Sequence, residues 1–385
     1  MGKRTERNDL KEEKLRLYSG AGFGFLQNLL QAFGMLLLPM YFSSLNISLL
    51  AYAFLLSIGD VFSFLLKPFL GFLTDKYGER RFLILGILVF TLSLFFIGQT
   101  KDILSITVLK IISSVSGALL FILILIYGLR DVNKKPDKKV GVFRSIFSAG
   151  WIFGLLLPGL IIDNFGTGFT FYLILAFGLF WILLSYSCTK KLKLKKIGKF
   201  KPSLSFMKKV PLPLIYKTVD IAVFNAFIFF FTRFALKDLG LSRSIVSMIV
   251  VVEVIAFSLG QFLVSRISNR SRRKYWIPIC MLTHVVGILT LIYSSQLIHY
   301  FIASALFGIA GAFVDLWIYS RISESVRRLD KGKVIGTYGW SFDIATILGA
   351  QIPAFFVALN LTPFAGMFVF PVVGFITYFL SKSKV

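Results

Sequence analysis

Cysteine and histidine are scarce in this chain, with two of each in 385 residues. Cys188 and Cys280 both lie in or beside apolar runs, so neither a disulfide framework nor a cysteine-rich metal site is expected. Acidic residues are also few, 18 against 43 Lys and Arg, and residues 189–211 contain none at all. There is no phosphate-cradling G-x-x-x-x-G-K-[ST] loop, which argues against ATP-driven chemistry. Nor is there a nucleophile–base constellation, a group of His and Cys ligands or a stretch suited to a soluble domain. No enzymatic activity, cofactor or metal is therefore expected. The first sixteen residues are highly charged and the apolar run after them is too long for an h-region, so no cleavable signal peptide is expected.

What the chain has in abundance is apolar sequence. Hydrophobic residues make up 56% of it, and the mean hydropathy is +0.79; soluble domains hold roughly 45–50%. A bilayer core about 30 Å thick needs about 20 apolar residues at 1.5 Å rise each. Twelve segments qualify, near 18–41, 48–70, 82–99, 103–128, 141–162, 169–188, 212–235, 244–265, 276–295, 298–320, 334–358 and 361–380. The expected fold is an all-α membrane protein of twelve transmembrane helices.

The net charge of +25 is distributed in a way that argues against nucleic acid as a partner. A nucleic-acid binder carries its bases as a patch on a soluble fold, whereas here they fill short gaps between apolar runs. Of the 43 Lys and Arg, 37 fall in the two termini, in the even-numbered gaps or, as Arg144 and Lys217 do, at the edge of the segment beside such a gap. Lys101, Lys237 and Arg243 occupy the opposite gaps, and Lys67, Lys110 and Arg233 lie inside apolar segments. The positive-inside rule then predicts a cell-membrane protein with both termini in the cytoplasm. The basic run 189–211 reads as a cytoplasmic linker that enforces this topology; the alternative is a segment lying on anionic lipid.

The turn between the second and third segments reads G-F-L-T-D-K-Y-G-E-R-R, from Gly71 to Arg81. Gly71 allows close helix approach, Gly78 a positive-φ turn, and Asp75 can face a helix N-terminus with Arg80 and Arg81 beside it. This stretch resembles the loop 2–3 signature of the major facilitator superfamily, G-x-L-[AS]-D-[RK]-x-G-[RK]-[RK]. Gly71, Leu73, Asp75, Lys76, Gly78 and Arg80 match it, while Thr74 and Glu79 depart from it. The resemblance implies a secondary transporter of a small solute, with this turn as a cytoplasmic gate that meets the eleventh helix near Gly336. It also implies two parallel six-helix halves, with helices 1, 4, 7 and 10 lining a cavity and 2, 5, 8 and 11 flanking it.

An internal repeat agrees with a six-plus-six division into 1–188, a linker 189–211 and 212–385. Gly141 to Pro158 and Gly336 to Pro353 have equal spacing, which sets Gly154 on Gly349 and Arg144 on Gly339. Gly117-Ala118 pairs with Gly311-Ala312 after a one-residue slip. Gly150, Gly154, Pro158 and Gly159 in segment 5 read chiefly as a close-packing helix face. The pattern partly resembles the G-x-x-x-G-P of antiporters in the superfamily, with the proline displaced. Where the proton-coupled drug-efflux members carry Arg in segment 4, this chain has Ser113, with Lys110 one turn earlier.

Ionisable residues in membrane segments are costly and become candidates for function. The deep ones are Asp60, Lys67, Lys110, Glu253 and Asp343, and segment 1 adds Gln27, Asn28 and Gln31. Asp220, three residues past Lys217, reads as interfacial; Asp315 reads as a partner for Arg321, and His284 as a packing residue. Asp60 precedes Asp75 by fifteen residues and Glu253 precedes Ser265 by twelve, which puts both about 18–23 Å from the cytoplasmic loops. Glu253 is the expected proton exchanger, with Asp60 as structural partner. The expectation is a proton-coupled transporter, acting as a monomer on a small molecule within membrane lipid. The alternatives are an uncoupled facilitator, or a membrane sensor or enzyme on the same scaffold.

Overall fold

The computed structural model describes residues 2–77, 79–129, 136–190, 211–267, 275–325 and 331–382. All secondary structure among the described residues is helical. That follows from the apolar runs, because a backbone in hydrocarbon has to satisfy its polar groups internally.

Six helices account for the first half of the chain. They are α1 (Gly2–Ser44), α2 (Leu49–Tyr77), α3 (Glu79–Ile97), α4 (Ile103–Leu129), α5 (136–165) and α6 (167–190). The last two form a single helical run broken at Gly166, where φ is 83° and ψ 164°. A side chain rarely adopts that conformation, so glycine is what allows the chain to turn there. Asp102 caps α4 by accepting from the Ser105 amide at 2.8 Å and its hydroxyl at 2.6 Å.

The second half supplies α7 (211–237), α8 (Arg243–Ile267), α9 (Trp276–Ile292), α10 (Leu297–Ser325), α11 (Lys331–Ala358) and α12 (363–382). Phe227–Phe231 within α7 is a π-helical turn. α12 opens with a single turn, Pro363–Gly366, capped by Thr362, and continues as Val369–Lys382. Each of the twelve apolar segments read from the sequence therefore lies on a helix. Among the described residues, ten helical runs are long and apolar enough to cross a membrane; one of them holds both α5 and α6, and α9 is a shorter apolar helix of 17 residues.

The chain folds into two compact units, one comprising Met1–Leu37 with Leu65–Lys201 and the other Leu38–Phe64 with Pro202–Val385. In the first unit α3 packs on α4 and on the α5–α6 run. In the second unit α10 is central, packing on α8, α9 and α7, while α11 packs on α7. In the most apolar windows of α1 and α7, 78% of residues are buried, against 28% for the α5–α6 run. α1 and α7 are thus inner helices, and α5–α6 faces largely outward.

Both inner helices are crossed in the same way. A Cβ on Gly154 of α5 would lie 2.5 Å from the Leu29 carbonyl oxygen and close to Ala32 Cβ and the Phe33 nitrogen of α1. A Cβ on Gly349 of α11 would lie 2.6 Å from the Ala222 carbonyl oxygen and close to Asn225 Cβ and the Ala226 nitrogen of α7. In each case the atoms met come from residues i, i+3 and i+4 of the inner helix. The glycine pair aligned by the internal repeat serves one role twice: it lets two backbones touch.

Candidate functional site

Four helices of the second unit bring ionisable side chains to a common point. Lys217 and Asp220 lie three apart on α7 and so share a face, with Lys217 Nζ 3.0 Å from Asp220 Oδ2. The same ammonium is 2.7 Å from Asp315 Oδ1 on α10. The other oxygen of Asp315 accepts from Gln261 Nε2 of α8 at 3.2 Å. His284 Nε2, on α9, lies 3.3 Å from Asp220 Oδ1. Glu253, two turns before Gln261 on α8, interacts electrostatically with Asp220. All five ionisable groups are buried, with exposures between 1% and 7%.

Small residues on α10 make this convergence possible. Gly308 faces the Glu253 carbonyl, and a Cβ on Gly311 would meet Asp220 Oδ1 at 3.1 Å and Phe257 Cδ2 at 3.2 Å. A larger residue at 311 would displace the carboxylate. The first unit has a neutral version of this arrangement: Gln27 Nε2 of α1 donates to the Gly117 carbonyl of α4 at 3.2 Å. Leu29 and Ala222 hold equivalent places in the two glycine crossings. Counting back two residues from each gives Gln27 and Asp220. One repeat therefore places an amide where the other places an acid.

Electrostatically, one ammonium is shared by two carboxylates, with a third carboxylate and an imidazole beside them. Removing such charges from water is expensive, and the cluster holds only while its pairing is complete. The structure corrects the expectation for Asp220, which is buried in this cluster rather than interfacial; His284 packs on the Phe307 ring and also faces Asp220, and the side chain of Arg321, the expected partner of Asp315, lies outside the described residues. Lys217 is the member that sequence reasoning misses: it follows the basic linker in sequence but is buried on α7. The signal that would find the cluster is the Lys217–Asp220 spacing, read together with Gly311 in the repeat.

The other candidates are spread over several places. Glu253 is buried, and its Oε2 has no hydrogen-bond partner among the described residues. Asp343 on α11 is buried and accepts from Ser63 Oγ of α2 at 3.1 Å. Gln351 Nε2 donates to Ser57 Oγ at 2.7 Å, and Phe64 and Trp340 pack at 5.6 Å, so polar and aromatic contacts join α2 to α11. Asp60 is half-buried on α2, and Lys67 is buried. Lys110 is half-buried and reaches Ser114 Oγ on its own helix at 3.2 Å. Asn28 is buried, whereas Gln31 is the exposed residue within 21–43 of α1. Arg80 stacks over the Tyr186 ring at 4.8 Å, and Arg81 is exposed. Gly78, the surroundings of Gly71, and the side chains of Asp75 and Arg144 lie outside the described residues, as does most of the linker 189–211.

A third contact ties the α1–α2 turn to α7. Tyr52 donates to the Phe229 carbonyl at 2.6 Å, inside the π-helical turn. A π turn shifts the helical bonding pattern, and Tyr52 meets one of its carbonyls. Arg233 donates to the Ile47 carbonyl at 3.2 Å and stacks over the Tyr52 ring at 5.0 Å.

A multi-pass helical protein with charged groups buried between its membrane helices has the character of a membrane transporter. The sequence matches the family described as Major Facilitator Superfamily over residues 21–236 and 214–384, and the chain belongs to that superfamily. It is 23% identical over 265 residues to Multidrug resistance protein 2 of Bacillus subtilis (strain 168), covering 65% of this chain and 66% of that protein. It is 28% identical over 134 residues to Multidrug resistance protein 3 of the same organism, covering 34% of this chain and 26% of that one. The fold is similar to that of the nucleoside transporter NupG, with a TM-score of 0.76, 15% identity and coverage of 96% of this chain and 98% of that one. It is also similar to a bacterial homolog of the human lysosomal transporter Spinster, solved in an inward-facing and occupied conformation. That match has a TM-score of 0.71, 14% identity and 96% coverage of each chain.

Proposed function

We propose that this protein is a secondary transporter of a small organic solute, coupled to protons and working by alternating access in the cell membrane. The observation that carries this reading is the buried cluster of Lys217, Asp220, Asp315, His284 and Glu253. A proton taken up or released there changes the charge balance among four helices. Such a change biases how the helices pack, which is what coupling requires. Glu253 is the exchanging group in this proposal, because its buried Oε2 has no fixed hydrogen-bond partner among the described residues. Asp60, Lys67, Lys110, Asp343, Gln27, Asn28 and Gln31 are the further candidates for substrate and coupling contacts. Gln31 offers an exposed amide on an otherwise packed inner helix.

The six-plus-six division, both termini in the cytoplasm and the Gly71–Arg81 turn as a gate belong to the same proposal, as does action as a monomer. The names of the two Bacillus subtilis relatives support an organic solute, and the nucleoside transporter supports a small one.

The test is uptake into proteoliposomes with Glu253→Gln, which mimics the protonated acid. The variant is expected to lose accumulation driven by a pH gradient while keeping substrate exchange between preloaded vesicles. Accumulation with the wild-type pH profile would remove Glu253 from the coupling role and favour the uncoupled facilitator, in which the ion pairs are structural.

A further inference from the structure

Cys280 and His284 are four residues apart on α9, so they face the same way, as metal-ligand pairs on one helix do. Both are buried, and both point at Asp220 of α7: one ligand atom from each of the three lies within 4.8 Å of the others. The chain's two other Cys and His residues, Cys188 and His299, lie elsewhere in the sequence. We propose that Asp220, Cys280 and His284 form a binding site for a borderline divalent transition metal, with Zn2+ the best fit.

Geometry supports this first. Zinc bonds of about 2.0–2.3 Å to oxygen, nitrogen and sulfur set tetrahedral ligand–ligand edges of about 3.3–3.7 Å. His284 Nε2 and Asp220 Oδ1 are already 3.3 Å apart. His284 Nδ1 has no hydrogen-bond partner among the described residues. A contraction of about 1 Å at the Cys280 thiol completes three edges of the tetrahedron.

The division of labour on Asp220 supports it next. Its Oδ2 is held by Lys217, which leaves Oδ1 turned toward α9. The ammonium fixes the carboxylate's direction, as outer-shell partners of metal ligands do. The three converging ligand atoms leave the fourth tetrahedral position to a water or a solute. As the Zn–S bond forms, the Cys280 thiol proton leaves to solvent. A thiolate–imidazole–carboxylate set selects zinc, cobalt or nickel over magnesium or calcium, which prefer oxygen alone.

The site does not depend on the transport reading, and its test measures binding. Full-length protein in detergent, stripped with a chelator, is titrated with ZnCl2 by calorimetry and with CoCl2 by absorbance. The expected result is one ion per chain, a near-ultraviolet thiolate-to-cobalt charge-transfer band, and a melting temperature that rises with free Zn2+. Cys280→Ser and His284→Ala each weaken binding at least about tenfold, since even outer-shell changes cost 10–100-fold at metal sites. His299→Ala leaves it unchanged. Cys188→Ser keeps the cluster intact and makes Cys280 the sole thiol; a cobalt band in that variant assigns the sulfur ligand even if Cys280→Ser fails to fold. Three results overturn the proposal: no stoichiometric uptake by wild type, cobalt uptake without a thiolate band, or loss of that band in Cys188→Ser.

Discussion

Lys217 Nζ on α7 lies 2.7 Å from Asp315 Oδ1 on α10, and both side chains are buried. The same ammonium also holds Asp220, so Lys217 pairs with two buried acids at once. Lys217→Met removes the ammonium that both carboxylates share. Breaking a buried pair in this way costs about 3–5 kcal/mol. The expected outcome is a lower melting temperature and lower membrane abundance, partly restored when Asp315→Asn is added. An unchanged melting temperature in Lys217→Met would show that the pairing does not hold the fold.

The paired glycine crossings predict matched effects at distant positions. Ala at Gly154 or Gly349 places a Cβ 2.5 or 2.6 Å from a backbone oxygen of the inner helix, and a backbone cannot rotate aside. Each substitution should destabilise by about 1–3 kcal/mol through helix separation. Gly168→Ala is the control: nothing lies within 4 Å of its Cβ, and the substitution should be neutral or slightly stabilising. Thermal melts of the three purified variants check this. Equal melting temperatures for all three would refute the shared crossing.

Tyr52→Phe removes the donor to the Phe229 carbonyl at 2.6 Å while keeping the ring beneath Arg233. The stability loss should be about 1 kcal/mol, and its effect should be local. Amide exchange should quicken across 47–53 and 227–233, the two segments this contact joins. Faster exchange over the whole chain, or none, would argue against a local clasp.

The topology proposal is tested by cysteine labelling in sealed cells. Asn46 and Asn360 are exposed at the α1–α2 and α11–α12 turns. Single cysteines there should react with an impermeant reagent added outside, and one at Lys195 should not. Labelling at Lys195 would overturn cytoplasmic placement of the linker.

The helices were legible from the residues alone, because a run of about twenty apolar residues satisfies its backbone in hydrocarbon most readily as a helix. The sequence also determined the Gly154–Gly349 correspondence, since close helix approach demands a residue without a side chain and glycine is visible as a letter. The Gly71–Arg81 motif similarly pointed to the superfamily that residues 21–384 match. Tertiary structure alone decided which buried charges meet. Lys217, Asp220, Glu253, Gln261, His284 and Asp315 are spread over about a hundred residues, and each taken singly fits a loop anchor, an interfacial acid or a packing ring. Hydropathy reports how far a residue lies along its helix, but not which way it faces. The facing direction is set by the crossings of α7, α8, α9 and α10, with Gly308 and Gly311 making room. Charge interaction falls off with separation through space, not along the chain, and so the cluster emerges only when those helices are packed together.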